Sequence, residues 1–179
     1  MTIALAAPHH EAIAAGRRAI EAGGNALDAA LAASVMLTVV YPHQCALGGD
    51  LIAVLRSPEG ETTAVVAAGA APAAIMDAAV AWTEVPRQGA HSVTVPGMVS
   101  GWQAIAAAGA ALPLSASFLD AQKVAQNGSP ISAGLARALA ARSEIVLADE
   151  GLSGIFAPEG EMLPEGATFV QPALARTLG

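Results

Sequence analysis

The chain has 179 residues, 54% of them hydrophobic and only 3% aromatic, with a formal net charge of −7. That is length and apolar content enough for one domain with a core of helices in close approach, because alanine supplies much of it. The acidic balance gives no electrostatic reason for a nucleic-acid partner, and the single cysteine excludes an internal disulfide framework.

No apolar run reaches the roughly 20 residues of a membrane span, so no membrane partner is expected. The opening MTIALAAP lacks the basic start and long apolar region of a secretory signal. The expected compartment is therefore the cytoplasm, or the periplasm if a leader has been removed.

In chain order, Thr2 to Ala7 reads as a strand closed by Pro8, and residues 9 to 22 as an amphipathic helix. Gly23 and Gly24 are expected to supply the φ > 0 positions that end it. Asn25 then caps a second helix, with Asp28 at its third position reaching back to the Asn25 N–H. From Ala26 to Val40 only Asp28, Ser34 and Thr38 are polar, which leaves no wet face, so this helix must be buried. Pro42 stops it, and Gly48-Gly49 turn the chain into a strand. Leu51 to Arg56 and Thr62 to Ala68, joined by SPEG, form a hairpin because Pro58 and Gly60 supply turn chemistry.

Met76 to Trp82 reads as helical, Pro86 to His91 as a loop, and Ser92 to Val95 as a strand end or extended lead-in. Helices follow from Gly97 to Ala108, from a Ser115 or Ser117 cap to Gln126 with Gly128 as its stop, and from Pro130 to Leu147. Residues 149 to 170 are expected to be irregular with short extended pieces, and Pro172 to Leu178 starts a last helix that the sequence does not finish, as in a fragment. The expectation is a single domain over 1–179, with a subdivision into an αβ part, 1–95, and a helical part, 96–179.

GGNALDAALAAS, VVYPHQCALGGD, TTAVVAAGAAPA and SVTVPGMVSGW occur in that order. Together they resemble the N-terminal part of the large subunit of the γ-glutamyltransferase (gamma-glutamyltranspeptidase) family of self-cleaving N-terminal-nucleophile hydrolases. The likeness runs from about Ile3 to Leu178, and the YPH and GGD variants are most similar to the oxamate-amidohydrolase-like branch. The resemblance implies an α/β (α+β) chain, the helix-rich portion of a four-layer αββα fold. It also implies a catalytic small subunit of the same precursor as partner, a small amide as substrate, and no metal or organic cofactor. The reaction would pass through a threonyl ester on that small subunit, so this chain alone is expected to be inactive. The other reading is a non-catalytic helical domain that binds a partner or forms a homo-oligomer through its alanine-rich faces.

The family's nucleophile is a threonine freed by self-cleavage. Thr2 precedes the segment that matches the start of the large subunit, and Thr62-Thr63 lies in the hairpin with no histidine after it, so neither is taken as that nucleophile. The large subunit's carboxylate-gripping arginine matches Ala68 here, counted back from Ala71-Pro72. Residues Ala68, Gly69 and Ala70 are therefore expected to form a pocket wall without the guanidinium fork that ordinary γ-glutamyl donors need. A short amide acid such as oxamate, or an acyl group lacking the amino-acid end, fits that wall better.

His43, Cys45 and Asp50 share one loop, but without a recognised ligand spacing they read as structural residues and not as a metal site. His9 and His10 are adjacent, would point to different sides of a helix, and read as surface or capping residues. Gly48-Gly49 lacks the residues of a phosphate or dinucleotide loop. Trp82 and Trp102 read as helix-borne core or interface anchors, and Arg87 and His91 as members of a solvated loop.

Overall fold

The computed structural model describes residues 3–75, 82–84 and 89–179. The chain is a helix-rich mixture of α and β structure that divides into two compact units, residues 1–46 with 109–179, and residues 47–108.

In the first unit, α1 (His10–Glu21) and α2 (Ala26–Val40) are joined by a turn in which Gly23 alone has positive φ, at 92°. Gly24 has another reason to be glycine: a Cβ there would press on the Ala19 carbonyl and the Asp28 side chain. The cap of α2 is as expected. The Asn25 side chain accepts from the Leu27 N–H at 2.8 Å, and Asp28 Oδ2 accepts from the Asn25 N–H at 2.7 Å. Ten of the helix's fifteen residues are buried, as its lack of a wet face requires. Small residues allow the close packing: Gly16 of α1 lies against the Ala29 carbonyl with no room for a side chain.

Against α2 packs α4 (Leu114–Asn127), and α8 (Pro172–Leu178) packs on α4 in turn. Arg18 of α1 clamps Asp120 of α4 at 2.7 Å, and the buried Gln171 side chain donates to the Val39 carbonyl at 2.9 Å. Beyond α4 come β3 (Ser129–Pro130), α5 (Ala133–Ala140), α6 (Ser143–Ala148), α7 (Glu150–Phe156) and β4 (Thr168–Phe169). The two short strands pair antiparallel, Ser129 with Phe169. Ile131, Leu135, Leu139, Val146, Phe156 and Phe169 fill one core between these pieces.

In the second unit, β1 (Leu51–Arg56) and β2 (Thr62–Ala67) form the expected antiparallel hairpin, with Leu51 opposite Ala67 and Arg56 opposite Thr62. Gly60, at φ 92°, makes its turn. A 3-10 turn at Ala90–Ser92 leads to α3 (Met98–Ala107), which packs on both strands. Alternation leaves the hairpin's other face bare: Ile52 is 73% exposed, Val54 71% and Val66 69%.

Several expectations change. Among the described residues Ile3 to Ala7 pairs with no strand, and Thr2 lies outside them. The helix expected over Pro130 to Leu147 is two helices. Ser132 caps α5, and at Arg142 the backbone leaves helical values (φ −130°, ψ 21°) before α6 begins. Residues 149 to 170 hold a helix, α7, because Asp149 caps it by accepting from the Leu152 N–H at 2.8 Å. Neither Ser115 nor Ser117 caps α4, whose N-cap is Pro113. Of the two readings of Ser92 to Val95, the extended lead-in is the one found: Ser92 ends the 3-10 turn, Val93 is extended, and the Val95 N–H reaches the Ala70 carbonyl. Of the segment read as helical at Met76 to Trp82, residues 76–81 lie outside the described residues, as do residues 86–88 of the Pro86 to His91 loop, Arg87 among them, and Trp82 is not helical.

Candidate functional site

The expected wall, Ala68 to Ala70, continues directly from β2. The hairpin register that sets Leu51 against Ala67 brings Asp50, one residue earlier, opposite Ala68. From there the Asp50 carboxylate accepts from the Gly69 N–H at 2.9 Å and from the Thr94 hydroxyl at 3.4 Å, both through Oδ1. The Val95 N–H donates to the Ala70 carbonyl at 3.0 Å, which lays residues 94–95 alongside the wall.

The approach is so close that two glycines are obligatory for space. A Cβ on Gly69 would fall on the Val95 carbonyl oxygen, and one on Gly97 on the Ala67 carbonyl oxygen. The Gly49 carbonyl closes the arrangement by accepting from the N–H groups of Gly97 and Met98, at 3.1 and 2.9 Å. Gly48-Gly49 is thus a turn whose backbone anchors the start of α3. Ala68 and Ala70 are exposed, and the three wall residues carry no cation and no nucleophile.

The loop triplet read from the sequence does not act as a group. Asp50 belongs to the hairpin mouth, whereas the His43 ring packs on Tyr41, with ring centres 4.2 Å apart. Cys45 is a free thiol whose pKa burial pushes up, away from reactivity. Among the described residues no group of three or more His, Cys, Asp or Glu side chains could hold a metal ion.

His43 also borders a half-open recess of about 480 Å³ in the first unit, walled by Leu135, Leu139, Val146 and Phe156 with Arg142 on its border. Burial holds the His43 imidazole below its usual pKa, and its Nδ1 has no partner among the described residues.

His9 caps α1, accepting through Nδ1 from the Glu11 N–H at 3.2 Å, and is buried; His10 stacks on it at 4.6 Å instead of pointing away. Trp102 of α3 is fully buried, and Trp82 stacks near His91 at 5.4 Å. Thr62 and Thr63 are exposed residues at the turn end of β2.

Two carboxylates have roles that local pattern does not reveal. Asp28, a cap by its spacing, also accepts from the N–H groups of Ala111 and Leu112, at 2.9 and 3.0 Å. Burial pushes its carboxyl up, but the N–H groups of Asn25, Ala111 and Leu112 outweigh that and hold it below the usual value. Asp50 was legible only as a loop acid. The signal that finds its role is its place one residue before a strand whose register is known.

The sequence model of the gamma-glutamyltranspeptidase family matches residues 12–179. The chain is 37% identical, over 179 aligned residues, to the oxamate amidohydrolase proenzyme of Klebsiella pneumoniae, covering 96% of this chain and 34% of that protein. It is 35% identical to the glutathione hydrolase-like YwrD proenzyme of Bacillus subtilis, over 96% of this chain and 33% of that protein. The crystal structure of Helicobacter pylori gamma-glutamyltranspeptidase superposes with a TM-score of 0.84 at 29% identity, covering 99% of this chain and 53% of that one.

The chain belongs to the gamma-glutamyltranspeptidase family, and its fold is the helix-rich α/β portion of that N-terminal-nucleophile hydrolase fold. It spans about a third of the length of the curated relatives it matches.

Proposed function

We propose that this chain is the N-terminal part of the large subunit of a self-cleaving amidohydrolase or acyltransferase, acting as one domain of it. The nucleophile is a threonine of the small subunit, outside this chain. Its hydroxyl attacks the amide carbonyl, the C–N bond breaks, the amine leaves with a proton, and water or a second amine resolves the threonyl ester. Residues 68–70 line the pocket. With Ala68 where γ-glutamyl enzymes place an arginine, a substrate α-carboxylate finds no bidentate partner on this wall, so ordinary γ-glutamyl donors bind poorly. The substrate is a short amide, such as oxamate, or an acyl amide lacking the amino-acid end.

The observation that carries this reading is the bare apolar face of the hairpin, Ile52, Val54 and Val66, in a family whose relatives include proenzymes about three times as long. An exposed row of that kind is a surface made to be covered. The rest of the precursor, the small subunit included, covers it and completes the four-layer sandwich.

The test is to read the gene beyond Gly179 and express the complete protein. The expected result is cleavage into two chains and hydrolysis of oxamate or a simple acyl amide in preference to a γ-glutamyl anilide, with the 179-residue chain alone inactive. A reading frame that stops at Gly179, with a stable folded oligomer as its product, would replace the enzyme reading with a non-catalytic binding module.

A further inference from the structure

We propose that Asp50 is a positioning residue for the substrate wall; this rests on the reading of residues 68–70 as a pocket wall. Three segments meet at the mouth of the hairpin: residues 49–51, 67–70 and 94–98. Their backbones are pinned by the Gly49 carbonyl to Gly97 and Met98, by Val95 to Ala70, and by the strand pairing that ends at Leu51 and Ala67. Gly69 falls just beyond that pairing, where the ladder gives its N–H no strand partner.

Asp50 supplies the missing partner. Its Oδ1 takes the Gly69 N–H at 2.9 Å and also receives the Thr94 hydroxyl at 3.4 Å, so one carboxylate oxygen joins the wall to the segment behind it. A charged acceptor makes a stronger bond than a neutral one, and it does so here on exposed backbone that would otherwise exchange with water. Gly69 has no slack in the other direction, since the Val95 carbonyl already fills the space a side chain would need. Gly69 is therefore fixed at its N–H by Asp50 and crowded at its Cα by the Val95 carbonyl. Ala68 and Ala70 follow wherever Gly69 is set. Asp50 touches no reacting atom in this account; it fixes the surface against which the substrate lies.

A residue of this kind sets how well substrate is bound more than how fast bound substrate reacts, which separates it from a general stabiliser. The experiment uses the complete precursor. Asp50→Ala, Asp50→Asn and Thr94→Val are compared with the parent for self-cleavage, melting temperature, KM and kcat on whichever amide the parent hydrolyses. Asn keeps an oxygen acceptor in place of Oδ1, so Asp50→Asn is expected within about threefold of the parent in KM, whereas Asp50→Ala raises KM about tenfold with kcat within about twofold.

Thr94→Val, which removes the weaker bond, is expected to raise KM about threefold. It also decides the matter if Asp50→Ala does not self-cleave. An unchanged KM in Asp50→Ala and Thr94→Val, or a loss in Asp50→Asn as large as in Asp50→Ala, overturns the positioning role. A parent protein that neither cleaves itself nor hydrolyses any amide overturns instead the functional reading on which the role rests.

Discussion

The helix α2 and the hairpin β1–β2 are about equally apolar in sequence, yet the first is sealed and the second is half bare. α2 finds α1 and α4 on its flanks, and ten of its residues are buried. The hairpin finds α3 for one face only, and Ile52, Val54 and Val66 stay open on the other. Apolarity fixes that a surface must be covered; it does not say whether the cover lies in the same stretch of chain. The first unit contains its own cover, and the second is finished on one side.

The largest effect should come from the tightest place in the second unit. Gly69→Ala sets a methyl group on the Val95 carbonyl oxygen, which no rotamer can relieve, so the crossing must open. A loss above about 4 kcal/mol is expected. Hydrogen exchange should rise across β1, β2 and α3 and stay slow in α2. Faster exchange in α2 as well would mean that the sealed and half-open regions are one cooperative body.

In the first unit, Phe169→Ala removes a ring that packs on Phe156 at 5.6 Å in a filled core. A loss of about 3–5 kcal/mol is expected, read as a lower urea midpoint with unchanged slope. Asp28→Ala strips the acceptor from three N–H groups, those of Asn25, Ala111 and Leu112. It should lose about 3 kcal/mol. Because the folded Asp28 carboxyl lies below its ordinary 3.8, its contribution is whole above that pH and fades as pH falls through the folded value. The acid limb of the stability curve should therefore flatten in Asp28→Ala.

A smaller effect follows from the histidines. Burial, and then His10, lower the His9 pKa against the pull of Glu11, with His43 lowering it further, and burial lowers His43. Both imidazoles are held neutral by the fold. Their contribution is whole above the ordinary 6.5 and is lost as pH falls from there toward the folded values. Urea midpoints between pH 8 and 5 should drop, and a double replacement, His9→Asn with His43→Gln, should remove most of that slope.

How far the sequence carried the structure follows the range of the forces involved. The Asn25 and Asp28 cap, α2, the hairpin and the Pro172 start of α8 are set by residues within a few positions of one another, and they are where the residues place them. The helix capped by Asp149 has a local signal, from Asp149 to the Leu152 N–H, that the Gly, Pro and Glu around it mask, and the break at Arg142 falls inside a run of helical spacing that gives no sign of it. The wall proposed at Ala68 to Ala70 rests on resemblance alone. The carboxylate that holds it was visible only as one acid in a loop, because its partners Gly69 and Thr94 are 19 and 44 residues away.

The smallest expected effect is the one that most sharpens the contrast between the two regions. Ile52, Val54 and Val66 point away from α3, so Val54→Thr with Ile52→Thr exchanges a methyl and an ethyl group in water for hydroxyls in water, keeping the β-branched shape that suits a strand. In the 179-residue chain the double variant should change stability by less than about 0.5 kcal/mol and lower its tendency to aggregate. In the complete protein the same hydroxyls would be buried against a partner surface without assured acceptors, a loss of about 1–3 kcal/mol for each. Melting curves of both lengths, with and without the pair of substitutions, measure the difference. Equal and negligible effects in the two would mean that the open face of the hairpin stays open, and that the second unit needs no cover to be finished.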